Sequence, residues 1–335
     1  MRRWILKAGA TNLDGLFLEE VAIPEPGPGE VRIRVHAVSL NYRDQLVLLK
    51  NPTPWRLPDR DLVPVSDGAG VIDAIGPGVD TWVVGDRVTG LYFRDFIEGP
   101  PHANMGFGLG SLDEDGMLSE YVVLPAKRVA RAPASLDYAE AATLPCAALT
   151  AWSALYGDHP ITPDSKVLVV GTGGVSLFAL IFARAAGAQV FATTSQNAKL
   201  QRLLDLGVSD VVNYRDTPDW GKAVFDRTGG VNKVVDAAGS LNQSLAALQP
   251  GGEVAIMGVM TADGPPNPAL LMGKGATVRG IAVGNAKAYE AMSQAIDTHQ
   301  VKPPIDRRFH FEDAKDAYQA QSSPELFGKI VIELP

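Results

Sequence analysis

Cysteine is almost absent. Cys146 is the only one in 335 residues, which excludes an internal disulfide and a cysteine cluster for zinc. An excess of basic charge is absent too. The net charge is −8 and the pI about 5.2. That argues against a nucleic-acid binder, which usually carries a basic face, though it leaves room for a local basic pocket around a phosphate. No apolar run reaches the roughly 18 residues of a membrane-spanning helix. The opening MRRWILKAGA holds only a short apolar stretch, which Lys7 interrupts, so it makes a poor signal-peptide core. A soluble cytoplasmic protein is the expectation. There is no internal repeat and no low-complexity segment.

What is present suits a globular chain of two ordinary domains: 46% of residues are hydrophobic and 20% charged. The first third is strand-like. Val31-Arg32-Ile33-Arg34-Val35-His36 alternates with the period of a half-buried strand, between the turn Pro24–Gly29 and the polar Asn41-Tyr42-Arg43-Asp44. Further short strands are expected around 68–75, 86–92 and 119–124, which together suggest a compact β-barrel-like unit. Residues 94–116 form a long Gly- and Pro-containing insert with an acidic end, a loop length usually reserved for function.

From residue 166 the rhythm changes. Apolar strands near 166–170, 189–194, 210–213, 233–236, 253–258 and 277–283 alternate with helix-like segments. Such a βα layout implies a parallel sheet covered on both faces, and six strands fit a doubly wound α/β fold. The tail carries a helix near 286–298, the stretch FHFED, a helix near 312–321 and a final strand GKIVIEL. It is expected to rejoin the first domain. The division is then 1–147 with 286–335, against 148–285.

The first of these strands runs into Gly171-Thr172-Gly173-Gly174-Val175-Ser176. This is GxGxxS, a dinucleotide-binding turn with a serine at the third glycine position. The first glycine permits the tight turn, and the second lets the backbone approach a pyrophosphate. The helix N-terminus offers unpaired N–H groups, and the third position governs helix packing. A bare glycine motif is weak, but here it follows a strand and opens a helix. An NAD site usually places an acid after the second strand. Here that strand, QVFATT, ends in Thr194 and is followed by Ser195-Gln196-Asn197-Ala198-Lys199, with no acid until Asp205. A hydroxyl and a lysine suit a 2′-phosphate, and Tyr214 and Arg215 could flank the adenosine. NADP(H) is therefore favoured, although Lys199 also reads as an ordinary solvated helix residue.

Taken together, EPGPGEVRIRVHAVSLNYRD, VSDGAGVIDAIGPGV, VGDRV, ATLPCAALTAW, GTGGVSLFAL and GKIVI resemble the medium-chain dehydrogenase/reductase superfamily over nearly the whole length. The resemblance implies a GroES-like β-barrel catalytic domain, a Rossmann domain and a cleft between them. Zinc enzymes of that superfamily take ligands from positions matching Asn41, Ser66 and Cys146. Only the thiol remains here, and one thiol cannot make a three-ligand catalytic site. The matching insert, 94–116, lacks the four cysteines of a structural zinc lobe. His36, His102, His159, His299 and His310 show no metal-ligand spacing. No metal is expected, and Cys146 reads as a small packing residue rather than a nucleophile.

The resemblance is closest to the zinc-free quinone reductase and enoyl reductase branches. Without a metal to polarise an isolated ketone, conjugate reduction is easier to support: charge spreads into an enolate that modest hydrogen-bond donors can hold. Asn41 is expected beside the nicotinamide. Tyr42 reads as a proton donor or as core packing, and Asp44 as an orienting group or a helix cap. Ser66 and Asp67 fill the former metal corner. Some enoyl reductases carry a tyrosine where this chain has Pro52, and Trp55 reads as a pocket wall or a surface residue. Gly173, Gly174 and Val175 should touch the pyrophosphate, with Gly171 and Thr172 completing the cofactor-binding turn. Met257, Gly258 and Val259 should lie by the nicotinamide ribose, and Ala282, Val283 and Gly284 by the nicotinamide, with Lys329 approaching the cofactor from the tail. A homodimer through the sixth strand is expected, or else an ordinary sheet edge. Two other readings stay open: a metal-free alcohol or carbonyl dehydrogenase, and an NADPH-binding protein without turnover.

Overall fold

The computed structural model describes residues 1–48, 59–111, 114–258 and 264–335. The chain divides into two compact units, one of Met1–Leu149 with Asn285–Pro335 and one of Thr150–Gly284.

The first unit is built on the long strand Glu30–Leu40, whose inward Val31, Ile33 and Val35 are all buried. It pairs antiparallel with Asp67–Ile75 along nearly its whole length, with Tyr121–Pro125 at its start and with Lys329–Glu333 at its end. The sheet continues through Arg87–Gly90 to Val129–Arg131 on one side and to Ile305–His310 on the other. Register shifts fall at Arg32/Ile33 and Val35/Ala37. Such bulges bend a strand and increase its twist, which lets this sheet curl over a core containing Trp4, Leu62, Ile72, Phe311, Tyr318 and Ile332. The tail thus delivers two strands to this sheet, and Lys329 arrives opposite the end of the central strand, where Ile330 pairs with Leu40.

In the second unit six parallel strands run Lys166–Val170, Gln189–Thr194, Asp210–Asn213, Val231–Asp236, Leu248–Ile256 and Thr277–Gly280. Numbered within the unit, their spatial order is 3-2-1-4-5-6, the doubly wound order that reverses beside the first strand. KVLVV is rich in β-branched residues and buried on both faces, as a central parallel strand must be. The fifth strand starts earlier and ends sooner than its apolar pattern suggests. The sixth stops at Gly280 rather than 283. The late helix begins at Ala314, after a short turn at Phe311–Asp313. No helix among the described residues is long and apolar enough to cross a membrane.

Candidate active site

The glycine turn sits where the first parallel strand of the second unit ends. Gly171 has φ +86°, a conformation that side chains rarely adopt. Gly173 is different. Its φ is −79° and a Cβ placed there meets nothing within 4 Å. The fold itself therefore does not demand a glycine there; the open space suits a ligand's close approach. Gly174 opens the helix Gly174–Ala185, so Gly174, Val175 and Ser176 present N–H groups without intrahelical partners. Ser176 Oγ donates to Val170 O at 2.8 Å. The serine thus ties helix to strand at the place where the motif normally has its third glycine.

Lys199 is 6% exposed, and its Nζ donates to Thr172 Oγ1 at 3.1 Å. It is not a solvated helix residue. Thr194 is buried, Ser195 half-buried, and Tyr214 37% exposed with its N–H on Thr194 O. Met257 and Gly258 lie just past the fifth strand, and both donate their N–H to Asp236 O at 3.1 Å. Gly258 touches the Ala237–Ala238 backbone so closely that a Cβ would sit 2.3 Å from it. Ala282, Val283 and Gly284 follow the sixth strand, and Val283 holds φ +52°. A β-branched residue in that region is strained by about 1–3 kcal/mol, a strain that clusters at functional sites. Val259 lies outside the described residues, as do Pro52 and Trp55.

Asp236 was not anticipated. Its Oδ1 accepts the N–H groups of Ala238 and Gly239, and its Oδ2 accepts Ser244 Oγ. It knots the turn after the fourth strand. The signal in the sequence was an acid ending the apolar VVD run before the small Ala-Ala-Gly.

In the first unit the end of the central strand carries a buried polar network. Lys329 Nζ donates to Leu40 O at 2.5 Å and to Asn41 Oδ1 at 2.6 Å. Asn41 Nδ2 faces Ser66 Oγ at 3.4 Å, and Ser66 Oγ donates to Asp67 Oδ1 at 2.7 Å. Asp67 Oδ2 accepts the Cys146 N–H at 3.0 Å. Asp44 Oδ2 accepts the Asn41 N–H at 2.8 Å, so Asp44 caps the helix Tyr42–Leu48 and fixes Asn41 in the same act. Asn41, Asp44, Ser66, Asp67 and Lys329 are all buried. Burial pushes the Asp44 and Asp67 carboxyls up, against the pull of Arg43 and Lys329 respectively, and pushes the Lys329 ammonium down. Burial also drives the Cys146 thiol up, which disfavours the nucleophilic thiolate. Tyr42 is 44% exposed, so it is not core packing.

Two supports for this network were not legible in sequence. Arg43 is buried, and its Nη1 bridges Asp44 Oδ1 at 3.1 Å and Leu109 O at 2.6 Å. Val65, next to Ser66, is buried with φ +74°. Its neighbourhood is clamped by Gly116 N on Val63 O and Met117 N on Val65 O, both at 2.7 Å. Gly110 and Gly116 leave no room for a Cβ against the Pro64–Val65 backbone. The end of the insert thus holds both Arg43 and the strained step before Ser66. A separate cavity of about 400 Å³, lined by Arg3, Arg94, Glu114, Tyr121 and Arg128 among others, includes no member of the network. It has volume but lacks this chemistry, and the network is the better candidate site. Among the described residues no group of three or more His, Cys, Asp or Glu side chains is arranged to hold a metal ion.

Comparison with known proteins bears on this geometry. Residues 27–134 match the alcohol dehydrogenase GroES-like domain, and residues 174–298 match the zinc-binding dehydrogenase domain. The chain belongs to the medium-chain dehydrogenase/reductase superfamily. A zinc-type alcohol dehydrogenase-like protein of Schizosaccharomyces pombe is 38% identical, with 99% of each chain covered. A 2-haloacrylate reductase of a Burkholderia species is 31% identical over 73% of this chain and 69% of its own. The crystal structure of a putative alcohol dehydrogenase from Sinorhizobium meliloti has a TM-score of 0.89 at 38% identity, with 99% of each chain covered. This medium-chain enzyme is thus an oxidoreductase with reductases among its relatives.

Proposed function

We propose that this chain is a metal-free, NADPH-dependent reductase of activated C=C bonds or quinones. The observation that carries this reading is Lys329 on Asn41. Where the zinc enzymes of the superfamily take a ligand, this chain has an amide whose oxygen already accepts from an ammonium at 2.6 Å. A divalent cation would have to displace that charge, and Ser66 with a single thiol does not make the three-ligand set of a catalytic zinc site. The donor set therefore does not fit zinc.

For the cofactor the residues do fit. The open space at Gly173 and the helix N-terminus suit a pyrophosphate. Lys199, with Ser195 beside it, suits a 2′-phosphate, and Tyr214 the adenosine. Met257, Gly258 and Ala282 to Gly284 suit the nicotinamide end. NADPH, when bound, supplies a hydride. Asn41 Nδ2 donates to the acceptor oxygen as negative charge develops there. Ser66 and Asp67 orient that amide, and Tyr42 or water returns a proton. A positioned acid contributes typically ~10²–10⁴-fold, so water suffices at reduced rate. The Burkholderia relative's name, a reductase of an electron-poor alkene, favours the same chemistry. The names of the Schizosaccharomyces and Sinorhizobium proteins favour a carbonyl or alcohol dehydrogenase instead.

The test is NADPH oxidation by chelator-treated protein with enones, enals and quinones, with products identified by mass. A saturated carbonyl or hydroquinone supports the proposal. An allylic alcohol, or activity that returns only with added zinc, sinks it. NADPH binding without turnover of any acceptor points to a non-catalytic role. We also propose a cytoplasmic homodimer joined through the sheet edge Thr277–Gly280, where Val278 is 37% exposed. Light scattering after size-exclusion chromatography of wild type and Val278→Lys tests it, and a wild-type monomer refutes it.

A further inference from the structure

Lys329 has a role that follows from hydrogen-bond polarity. An ammonium donates and cannot accept. Its bond to Asn41 therefore fixes the amide oxygen toward the lysine and turns Nδ2 the other way. There Nδ2 meets Ser66 Oγ at a long 3.4 Å, while the Ser66 proton is committed to Asp67 at 2.7 Å. Ser66 is thereby an acceptor toward the amide, so both ends of Asn41 are told which way to point. The backbone of the same residue is pinned by Asp44 at 2.8 Å. The second Lys329 bond, to Leu40 O, fixes the ammonium against the residue that precedes Asn41. The amide nitrogen is left firmly oriented on the side of Ser66 Oγ and the Asp67 carboxylate, and it carries two N–H donors. That state suits a group that must accept a new oxygen partner only as charge develops.

We propose that Lys329 is a positioning residue that locks Asn41 as a hydrogen-bond donor. The proposal rests on the reading of Asn41 as the group facing the acceptor oxygen. Freed from Lys329, the Asn41 amide can rotate and present its oxygen, which repels an enolate. A merely structural lysine, tying the strand Lys329–Glu333 to the central strand, would not be sensitive to Asn41. A cofactor-contacting lysine would act on NADPH affinity instead.

The experiment compares wild type, Lys329→Met, Asn41→Ala and the double variant. It measures the dissociation constant for NADPH, and kcat and KM for the acceptor. Lys329→Met is expected to lower kcat about 10- to 100-fold and to leave NADPH affinity within about twofold. The double variant is expected to be no slower than Asn41→Ala, since both changes remove one unit. Lys329→Arg, which still donates, is expected to recover part of the rate. Additive losses, or a loss of NADPH affinity in place of kcat, overturn the proposal. If Lys329→Met does not fold, Lys329→Leu, which likewise cannot donate, replaces it. A second arm needs no acceptor: in protein labelled with ¹⁵N-asparagine, the Asn41 side-chain amide should exchange with solvent faster in Lys329→Met than in wild type. Unchanged exchange overturns the lock. Faster exchange in a protein that turns over no acceptor would sustain the lock while refuting the reductase reading.

Discussion

Lys199 Nζ donates to Thr172 Oγ1 at 3.1 Å. A side chain from the loop after the second parallel strand therefore reaches the glycine turn after the first. That places a buried cation at the turn proposed to hold the phosphates of NADPH. A lysine making one charged hydrogen bond to a 2′-phosphate contributes enough that Lys199→Ala should weaken NADPH about tenfold or more. NADH, which lacks that phosphate, should change little. Fluorescence titration with both cofactors checks it, and equal losses would refute the assignment.

The first two glycines of the turn should fail in different ways. Gly171 at φ +86° needs its backbone freedom, so Gly171→Ala should destabilise the protein by about 1–2 kcal/mol. Gly173 has an ordinary φ and an empty space where its Cβ would go. Gly173→Val should therefore fold, with a melting temperature near wild type, and lose cofactor affinity. Thermal melts with and without NADPH separate the two effects. A Gly173→Val protein that gains as much from NADPH as wild type does would show that the space is not the cofactor's.

Asn41 is the donor on which the proposed chemistry turns. Removing one such donor costs roughly 10²–10³ in rate. Asn41→Ala should therefore lower kcat by about that factor at nearly unchanged NADPH affinity. Steady-state kinetics on the first accepted acceptor measures it. A kcat within a factor of three of wild type would remove Asn41 from the mechanism.

Asp297 offers a test of how the tail is anchored. It sits on the helix Ala286–His299 and accepts from Ser135 Oγ at 2.6 Å, Ser135 N at 2.9 Å and Ala134 N at 3.1 Å. Burial raises its pKa, but these bonds outweigh burial and the carboxyl titrates below its usual range. A depressed folded-state pKa means that the unfolded chain binds its proton more readily. The stabilisation is then present above the unfolded value near 3.9 and fades as the pH falls toward the folded value. Asp297→Asn should cost about 1–3 kcal/mol at neutral pH, and the gap to wild type should close on acidification. Urea unfolding at neutral and acid pH checks the sign.

Local physics made most of the fold readable. The runs KVLVV and QVFATT and the sequence DVVN each matched a parallel strand to the residue; the first two are buried along nearly their whole length, while DVVN, at the sheet edge, is a short β-branched pair between turn signals. Boundaries drifted at Leu248–Ile256 and Thr277–Gly280, where strand ends depend on the neighbour they pair with. The glycine turn was legible for the same local reason: a strand, a positive φ and a helix N-terminus are consecutive in sequence. In the other unit, Asn41, Asp44, Ser66 and Asp67 were singled out by resemblance, and no local pattern gave their bonds to one another.

The sequence by itself determined which residues carry charge or hydroxyls, that one cysteine stands alone, and that a parallel α/β unit opens on a glycine turn. Only the tertiary structure decided that Lys329, 288 residues from Asn41 in the chain, rests on its amide, that Arg43 joins Asp44 to Leu109 O, and that Val65 is forced to positive φ beside Ser66. The physical reason is range. Periodicity and turn chemistry act over a few residues, whereas a buried ammonium finds its acceptors through strand pairing that brings distant segments into register.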